Sequence, residues 1–400
     1  LIDLGGLAQI IGHPEFKTKR ASVRPPVKPL SFPEQGTRDL FEVLKERDIL
    51  LHHPYNSMEP VLELLEKAAE DPYVLSIKIT IYRLAKDSRV TAALLKAAEA
   101  GKHVSVLFEV KARFDEENNL REAQRLQKAG CFVIYGVSSL KTHTKLLLIV
   151  RNEPNNRVYR YVHLSSGNYN ETTSRLYTDI GLLSTNEVYA NDVSEFFNVI
   201  TGHSQPSAYQ NLITSPRDMR IQLCNLVRRE ADNAQQGLPA GIVIKLNSLQ
   251  DYELINELYA ASQKGVKIKL IVRGMCCLRP GRAGLSENIE VISIVGEYLE
   301  HSRIYYFHNA GQAKVYIGSA DAMVRSFDRR IESLFLLESD LLRQQAMNIL
   351  RYNLRDNVNS YQMKEDGTYT IKEQNGEPPF NVHTEFYKVT REIVEEVRLF

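Results

Sequence analysis

The sequence predicts an α/β fold made twice over, with its active site in the cleft between the two copies. Strand-like and helix-like runs alternate through "VLSIKITIYR", "SRVTAALLKAAEAG", "HVSVLFEV", "NLREAQRLQKAG" and "CFVIYG", the rhythm of a parallel sheet with crossover helices. From about residue 240 the rhythm returns in "GIVIKLN", "DYELINELYAASQKG", "VKIKLIVRG" and "IEVISIVG". The two passages also align as sequences. "KAAEAGKHVSVLFEV" (96–110) lies on "YAASQKGVKIKLIVR" (259–273) when Gly101 is set on Gly265, each a helix closed by glycine and followed by a strand.

Composition sets the frame. A chain of 400 residues that is 43% apolar can fill two cores of ordinary size. With a net charge of +1, the molecule as a whole has no pull on nucleic acid or anionic membrane, so any anion binding is local. Cys131, Cys224, Cys276 and Cys277 lack the spacing of zinc sites or a secreted disulfide framework, which fits a reducing cytoplasm. No apolar run reaches the roughly 18 residues of a membrane span.

In chain order, residues 14–36 are rich in proline and basic residues without a period, as in a linker. A helix-like run "TRDLFEVLKERDIL" opens the first copy, a helical stretch over about 186–237 joins the copies, and the amphipathic "FYKVTREIVEEVRLF" at the end reads as a docking helix. The division expected is 1–36 as a tail, 37–205 as the first domain and 206–400 as the second.

Of the ten histidines, only His143 and His301 have a basic residue two positions on, Lys145 and Arg303. Both open an apolar run, and a strand period of two puts each imidazole on one face with its cation, an arrangement suited to an anionic substrate. After each comes a second strand and a small polar turn: Ser166, Asn168 and Asn170 in "YVHLSSGNYN", Ser319 and Asp321 in "VYIGSADAM". These side chains can hydrogen-bond phosphate or orient the imidazole. One such histidine is more often structural than catalytic, but two in equivalent places of a repeat point to function, one attacking while the other handles protons. The cations specify the anion. Of Arg83, Lys111, Arg113, Arg273, Arg279, Arg282, Arg325, Arg329 and Arg330, several lie at the carboxyl ends of strand-like runs, and guanidinium forks match phosphate oxygens in pairs.

The motifs "LLHHPY", "KARFDE", "YGVSSLKTHTKLLLIVR", "YVHLSSGNYN", "LYTDIGLL", "GVKIKLIVRGMCCLRPG", "SIVGEYLEHSRIYYF" and "DRRIE" closely resemble the polyphosphate kinase family, almost without interruption along the chain. The resemblance implies two tandem phospholipase D-like domains, preceded in the family by a helical amino-terminal domain and a head domain, of which 1–36 would be the tail. It implies that His143 is the phosphorylated histidine, that His301 is an acid/base that also contacts nucleotide, and that Tyr177 and Arg273 contact ATP. Arg83 and Arg113 fall at positions the family associates with Mg²⁺-bound phosphates; guanidinium cannot ligate a metal, so both read as phosphate clamps beside Mg²⁺. Lys145, Arg303, Asn168 and Lys111 complete the phosphate-binding set. The partners implied are ATP or ADP and inorganic polyphosphate, with no nucleic acid, a homo-oligomer in the full-length protein, and a cytoplasmic location with peripheral contact to the inner face of the membrane in some members. Three positions depart from the family: "LSSGN" stands for a more usual Gly-Thr-Gly-Asn, Ala322 for an aromatic, and Ser326 for asparagine.

The reaction implied is reversible transfer of the ATP γ-phosphate to polyphosphate through phosphohistidine. A phospholipase D-like phosphodiesterase or nuclease is the rival, distinguished by an aspartate after each His-x-Lys, which "HTKLLLIVRN" and "HSRIYYFHN" lack. A non-catalytic polyanion-binding scaffold is a third reading; it predicts binding without a phosphoprotein.

Overall fold

The structure, a computed structural model, describes residues 6–7, 9–10, 13–19, 39–82, 84, 88–109, 116–136, 140–202, 208–389 and 397–400. The first half runs α1 (Leu40–Glu46), β1 (Ile49–His53), α2 (Glu59–Glu70), β2 (Val74–Ile81), α3 (Arg89–Glu99), β3 (His103–Phe108), α4 (Glu116–Lys128), β4 (Phe132–Tyr135), β5 (Lys141–Thr142), β6 (Lys145–Asn152), β7 (Val158–Ser165) and β8 (Tyr177–Ser184). After α5 (Glu187–Ile200) the second half runs β9 (Leu212–Ser215), α6 (Met219–Gln235), β10 (Gly241–Leu246), α7 (Tyr252–Gln263), β11 (Lys267–Val272), β12 (Ile289–Ile294), β13 (Leu299–Glu300), β14 (Arg303–Phe307), β15 (Lys314–Gly318), α8 (Val324–Asp328) and β16 (Arg330–Leu336). It closes with α9 (Asp340–Arg355), the hairpin β17 (Ser360–Met363) and β18 (Tyr369–Ile371), and α10 (Val382–Glu385).

Local chemistry fixes the helix starts. The side chains of Asp39, Ser88, Asn186 and Asp251 accept from the backbone N–H of Phe41, Val90, Val188 and Leu254, satisfying donors that the first helical turn leaves unpaired. Gly101 (φ +78°) and Gly265 (φ +90°) take the left-handed conformation after α3 and α7 that lets the chain turn into β3 and β11.

The repeat extends to pairing. The first sheet has the order β1-β8-β7-β6-β2-β3-β4 and the second contains β12-β11-β10-β14-β15-β16, with β9 on β16 as β1 lies on β8. Parallel β2, β3 and β4 match parallel β10, β11 and β12; antiparallel β6, β7 and β8 match β14, β15 and β16. Each sheet is therefore mixed rather than parallel throughout. The outer face of the first sheet packs on α1 to α3 through Leu65, Leu94, Ile77 and Val106, and that of the second on α6 and α7 through Val227, Leu258, Ile244 and Leu270. Their inner faces share one core, where Leu148, Val162, Leu164 and Leu182 meet Ile304, Val315, Ile317 and Phe335. Burying such side chains stabilises by about 1.5–3 kcal/mol each, so the halves are held as one body.

Two strands cross that boundary. β5, from the first half, pairs with β16 of the second; β13, from the second half, pairs with β8 of the first. His143 and His301 are the residues that follow these two crossings.

Several expectations need correction. The joining stretch is not all helical: β9 lies inside it, four buried residues too short to show a period. Most of the tail residues fall outside the described set; Pro14–Lys19 form a 3-10 helix. The terminal docking helix is not seen among the described residues: 386–388 form a 3-10 turn, 397–400 have no regular secondary structure with Val397 and Leu399 buried, and 390–396 fall outside. His143 and His301 precede their strands rather than lie in them, because their backbone N–H groups bond to the other sheet, at Ile331 O (2.9 Å) and Thr178 O (3.3 Å).

Candidate active site

The crossing strands give each histidine a carboxylate from the opposite half. His143 Nδ1 lies 2.9 Å from Glu332 Oε2 on β16, and His301 Nδ1 lies 2.8 Å from Asp179 Oδ1 on β8. Asp179 and Glu332 are equivalent in the repeat, since Gly181 pairs with Ser165 as Leu334 pairs with Gly318. The carboxylate holds Nδ1 in one tautomer and turns Nε2 outward.

The shells behind them also correspond. Thr142 N–H donates to Glu109 Oε2 (2.8 Å), Thr80 Oγ1 donates to Thr144 O (2.9 Å), and Leu146 N–H donates back to Thr80 Oγ1 (2.9 Å). On the other side Lys245 Nζ pairs with Glu300 Oε2 (2.8 Å) and donates to Ser302 Oγ (2.7 Å). Asp179 also accepts from Ser166 Oγ at 2.7 Å, and a Cβ on Gly167 would come within 2.7 Å of its Cγ, so the glycine of "LSSGN" is required by close approach.

The cations at the two histidines differ. Lys145 Nζ donates to His143 O and lies 5.4 Å from the Tyr82 ring centroid. Among the described residues it has no ion pair, although it is 1% exposed. Arg303 donates to His301 O at 2.7 Å and forks onto Asp321, Nε to Oδ1 and Nη2 to Oδ2, both 3.2 Å. Its Nη1 lies 3.3 Å from His301 Nε2. Asp321 further accepts from Asn247 N (2.8 Å), and Asn247 Oδ1 accepts from Arg273 Nε (2.9 Å) and Nη2 (2.6 Å). Tyr177 stands beside His301, ring centroids 5.4 Å apart.

Burial and charge set the protonation states. Burial, then Lys145, Arg330 and Arg303, hold His143 well below the ordinary imidazole range, so the ring is neutral. Burial raises Glu332 to about 7 against the pull of Lys145 and Arg330; in its ionised form it accepts the Nδ1 proton of the neutral imidazole. Burial lowers Lys145 to about 7. Burial also lowers His301, opposed by Asp179. Asp179 stays ionised at about 2, because His301, Ser166 and Arg303 outweigh its burial.

Thus His143, Lys145, His301, Arg303, Tyr177, Arg273 and Asn168 are brought to one region at the seam of the sheets. Arg83, Lys111 and Arg113 lie outside the described residues. Arg279 and Arg282 belong elsewhere, toward β17–β18: Arg282 Nε donates to Glu365 O, and Gly367 abuts the Arg279 guanidinium. Arg325 and Arg329 are exposed on and after α8. Sequence reasoning missed Asp179, Glu332, Asn247 and Lys245; laying "YTD" on "RIE" in the repeat would have found the two acids.

Among the described residues no three His, Cys, Asp or Glu side chains gather as metal ligands, and the site's carboxylates are committed to His143, His301 and Arg303. The described residues therefore do not fit a resident Mg²⁺. Also among them, no helix is long and apolar enough to cross a membrane.

Residues 39–206 match the family model of polyphosphate kinase C-terminal domain 1, and 212–383 that of polyphosphate kinase C-terminal domain 2. A polyphosphate kinase of Synechocystis is 49% identical over 337 residues, 84% of this chain and 46% of the relative; one of Staphylococcus epidermidis is 44% identical over 94% of this chain and 51% of its own length. The chain thus spans about half the length of these curated relatives. The crystal structure of the Porphyromonas gingivalis polyphosphate kinase superposes with a TM-score of 0.86 at 37% identity, covering 94% of this chain and 57% of that one. A phosphatidylserine synthase from Haemophilus influenzae, 12% identical with a TM-score of 0.53 over 86% of this chain and 92% of its own, shares the fold alone. The duplicated sheets, the crossed histidines and these likenesses agree: the chain belongs to the polyphosphate kinase family and corresponds to its two C-terminal domains.

Proposed function

We propose that this chain carries the catalytic centre for reversible transfer of the ATP γ-phosphate to inorganic polyphosphate, through a phosphohistidine at His143, with residues 37–205 and 206–400 as its two domains. The observation that carries the reading is the pair of crossed imidazole–carboxylate units, His143 with Glu332 and His301 with Asp179, beside the buried cations Lys145 and Arg303. Family membership supplies the substrate class.

His143 is neutral and bound through Nδ1, so its Nε2 lone pair attacks the γ-phosphorus while the bond to the β,γ-bridging oxygen breaks and ADP departs with that electron pair. The terminal oxygen of polyphosphate then attacks the same phosphorus and the P–N bond returns its pair to the ring. Lys145, and less strongly the Asp321-paired Arg303, offset the charge of the transferring group from buried positions, where fixed charges act strongly. Without substrate, burial and the adjoining Arg303 keep His301 neutral; bound phosphates favour its proton, which it shares with the leaving oxygen of ADP while Asp179 stays ionised. Tyr177 stands beside His301, and Arg273 reaches it through Asn247, whose Nδ2 donates to His301 O; the nucleotide would lie against both. Any Mg²⁺ enters with the nucleotide, as part of the substrate.

Incubation with γ-labelled ATP tests this directly. The expected product is an acid-labile, base-stable phosphoprotein whose label disappears in His143→Ala. Normal labelling of that variant would refute the assignment. His301→Ala is expected to cripple transfer while the fold stays intact.

A further inference from the structure

The repeat is nearly symmetric at its centre, where each imidazole meets a carboxylate of the opposite half through Nδ1. The difference lies one layer out. Ser165 pairs with Lys145 across β6–β7, and Gly318 pairs with Arg303 across β14–β15, so Asn168 and Asp321, three residues further along, are equivalent. Asp321 is ionised and takes two of Arg303's donors; a third goes to His301 O. Asn168 offers Lys145 no charge. Among the described residues Lys145 spends one N–H on His143 O and its other two find no acceptor, while Asn168 Oδ1 is buried with no donor. Lys145 feels Glu332 and Asp179 but makes an ion pair with neither among the described residues, whereas Arg303 is paired directly with Asp321 and stands beside the His301–Asp179 unit.

We propose that the neutral Asn168, opposite the carboxylate Asp321 in the other half, determines which histidine receives the phosphoryl group: it leaves Lys145 without a carboxylate in direct contact beside His143, whereas Asp321 pairs with Arg303 beside His301. This rests on the phosphohistidine reading above. The γ-phosphoryl group, carrying its negative charge, settles over the half with unspent donors, and the N–P bond forms there as the bond to the ADP oxygen breaks. Asn168 is a specificity-determining residue of the site, acting through Lys145.

The test uses γ-labelled ATP and peptide mapping of the labelled histidine. Asn168→Asp gives Lys145 the partner Arg303 already has and is expected to slow labelling of His143 by about a hundredfold, the scale of losing one charge-stabilising contact. Asn168→Ala, which removes the amide without adding charge, is expected to label more slowly than wild type but well above Asn168→Asp. The exchange Asn168→Asp with Asp321→Asn is expected to move label to His301, and Asp321→Asn alone to add label there. Wild-type rates in Asn168→Asp, or label confined to His143 at an undiminished rate in the exchange variant, overturn the inference while the phosphohistidine stands. An unlabelled wild type overturns the reading beneath it. Circular dichroism of each variant separates loss of fold from loss of charge, and Asp321→Asn alone still decides the matter if Asn168→Asp does not fold.

Discussion

Replacing Lys145 with methionine should make the protein more stable and inactive together. Lys145 is 1% exposed, and burial lowers its pKa from 10.5 to about 7. The unfolded chain therefore binds this proton more tightly than the folded one at every pH between those values. At about 1.4 kcal/mol per unit, the gap caps the cost of the buried ammonium near 5 kcal/mol at pH 7. Methionine has similar length, no charge and a flexible side chain that fills the space, and it forfeits only the bond to His143 O, worth about 1 kcal/mol. A net gain of about 2–4 kcal/mol at pH 7 follows. The sign with pH is fixed: wild-type stability climbs as pH rises from 7 toward 10.5, so the advantage of the variant shrinks, with about 2 kcal/mol of the linkage cost left at pH 9. Urea denaturation of both proteins at pH 7 and 9 measures this, with phosphoprotein labelling alongside. A Lys145→Met protein less stable than wild type at pH 7, or an advantage that grows with pH, would show that the ammonium is compensated in the fold and would undo the reasoning.

Three further outcomes follow from the same geometry. Glu332→Gln keeps the shape but replaces a charge-assisted bond of 2.9 Å by a neutral one and lets the amide present the wrong tautomer to His143; labelling should slow by about tenfold to ten-thousandfold with nucleotide binding retained, measured by single-turnover kinetics. Asp179→Asn should cost about 2 kcal/mol at pH 7, because the folded carboxyl near 2 lies below its usual 3.8; that contribution is present above pH 3.8 and lost as pH falls through 2, so the two denaturation midpoints should converge in acid. Leu164→Ala, at a site with 0% exposure in the core shared by both sheets, should cost about 2–5 kcal/mol and leave one unfolding transition as followed by reporters in either half.

The parts of the fold that repeat were readable, because their signals are local. The helix–glycine–strand units at Gly101 and Gly265 stand out in sequence, and β2, β3, β10 and β11 appear where their apolar runs place them. Short elements were not readable. β5 and β13 are two residues each and β9 four, too brief for a period of two to register, and each is stabilised by a strand far along the chain. The same distance hid the carboxylates: Glu332 is 189 residues from His143, and Asp179 is 122 from His301. Charge alone misled for Arg279 and Arg282, since a guanidinium near a strand end can equally serve the backbone of a neighbouring hairpin, as Arg282 does at Glu365 O.

The crossing of β5 and β13 explains why a duplicated fold should place chemistry at its seam. A histidine held only by its own sheet would leave the distance to its counterpart to whatever the domain packing allowed. Here His143 N–H bonds to β16 and His301 N–H to β8, so each imidazole is registered by hydrogen bonds to the half that carries the other. Positioning by a strand end of the opposite sheet is more rigid than positioning by a loop, and in-line phosphoryl transfer depends on such placement. Stability and catalysis then separate in a recognisable way. Weakening the shared core at Leu164 lowers the amount of assembled site but not the rate at each one, whereas Glu332→Gln leaves the assembly and changes the rate.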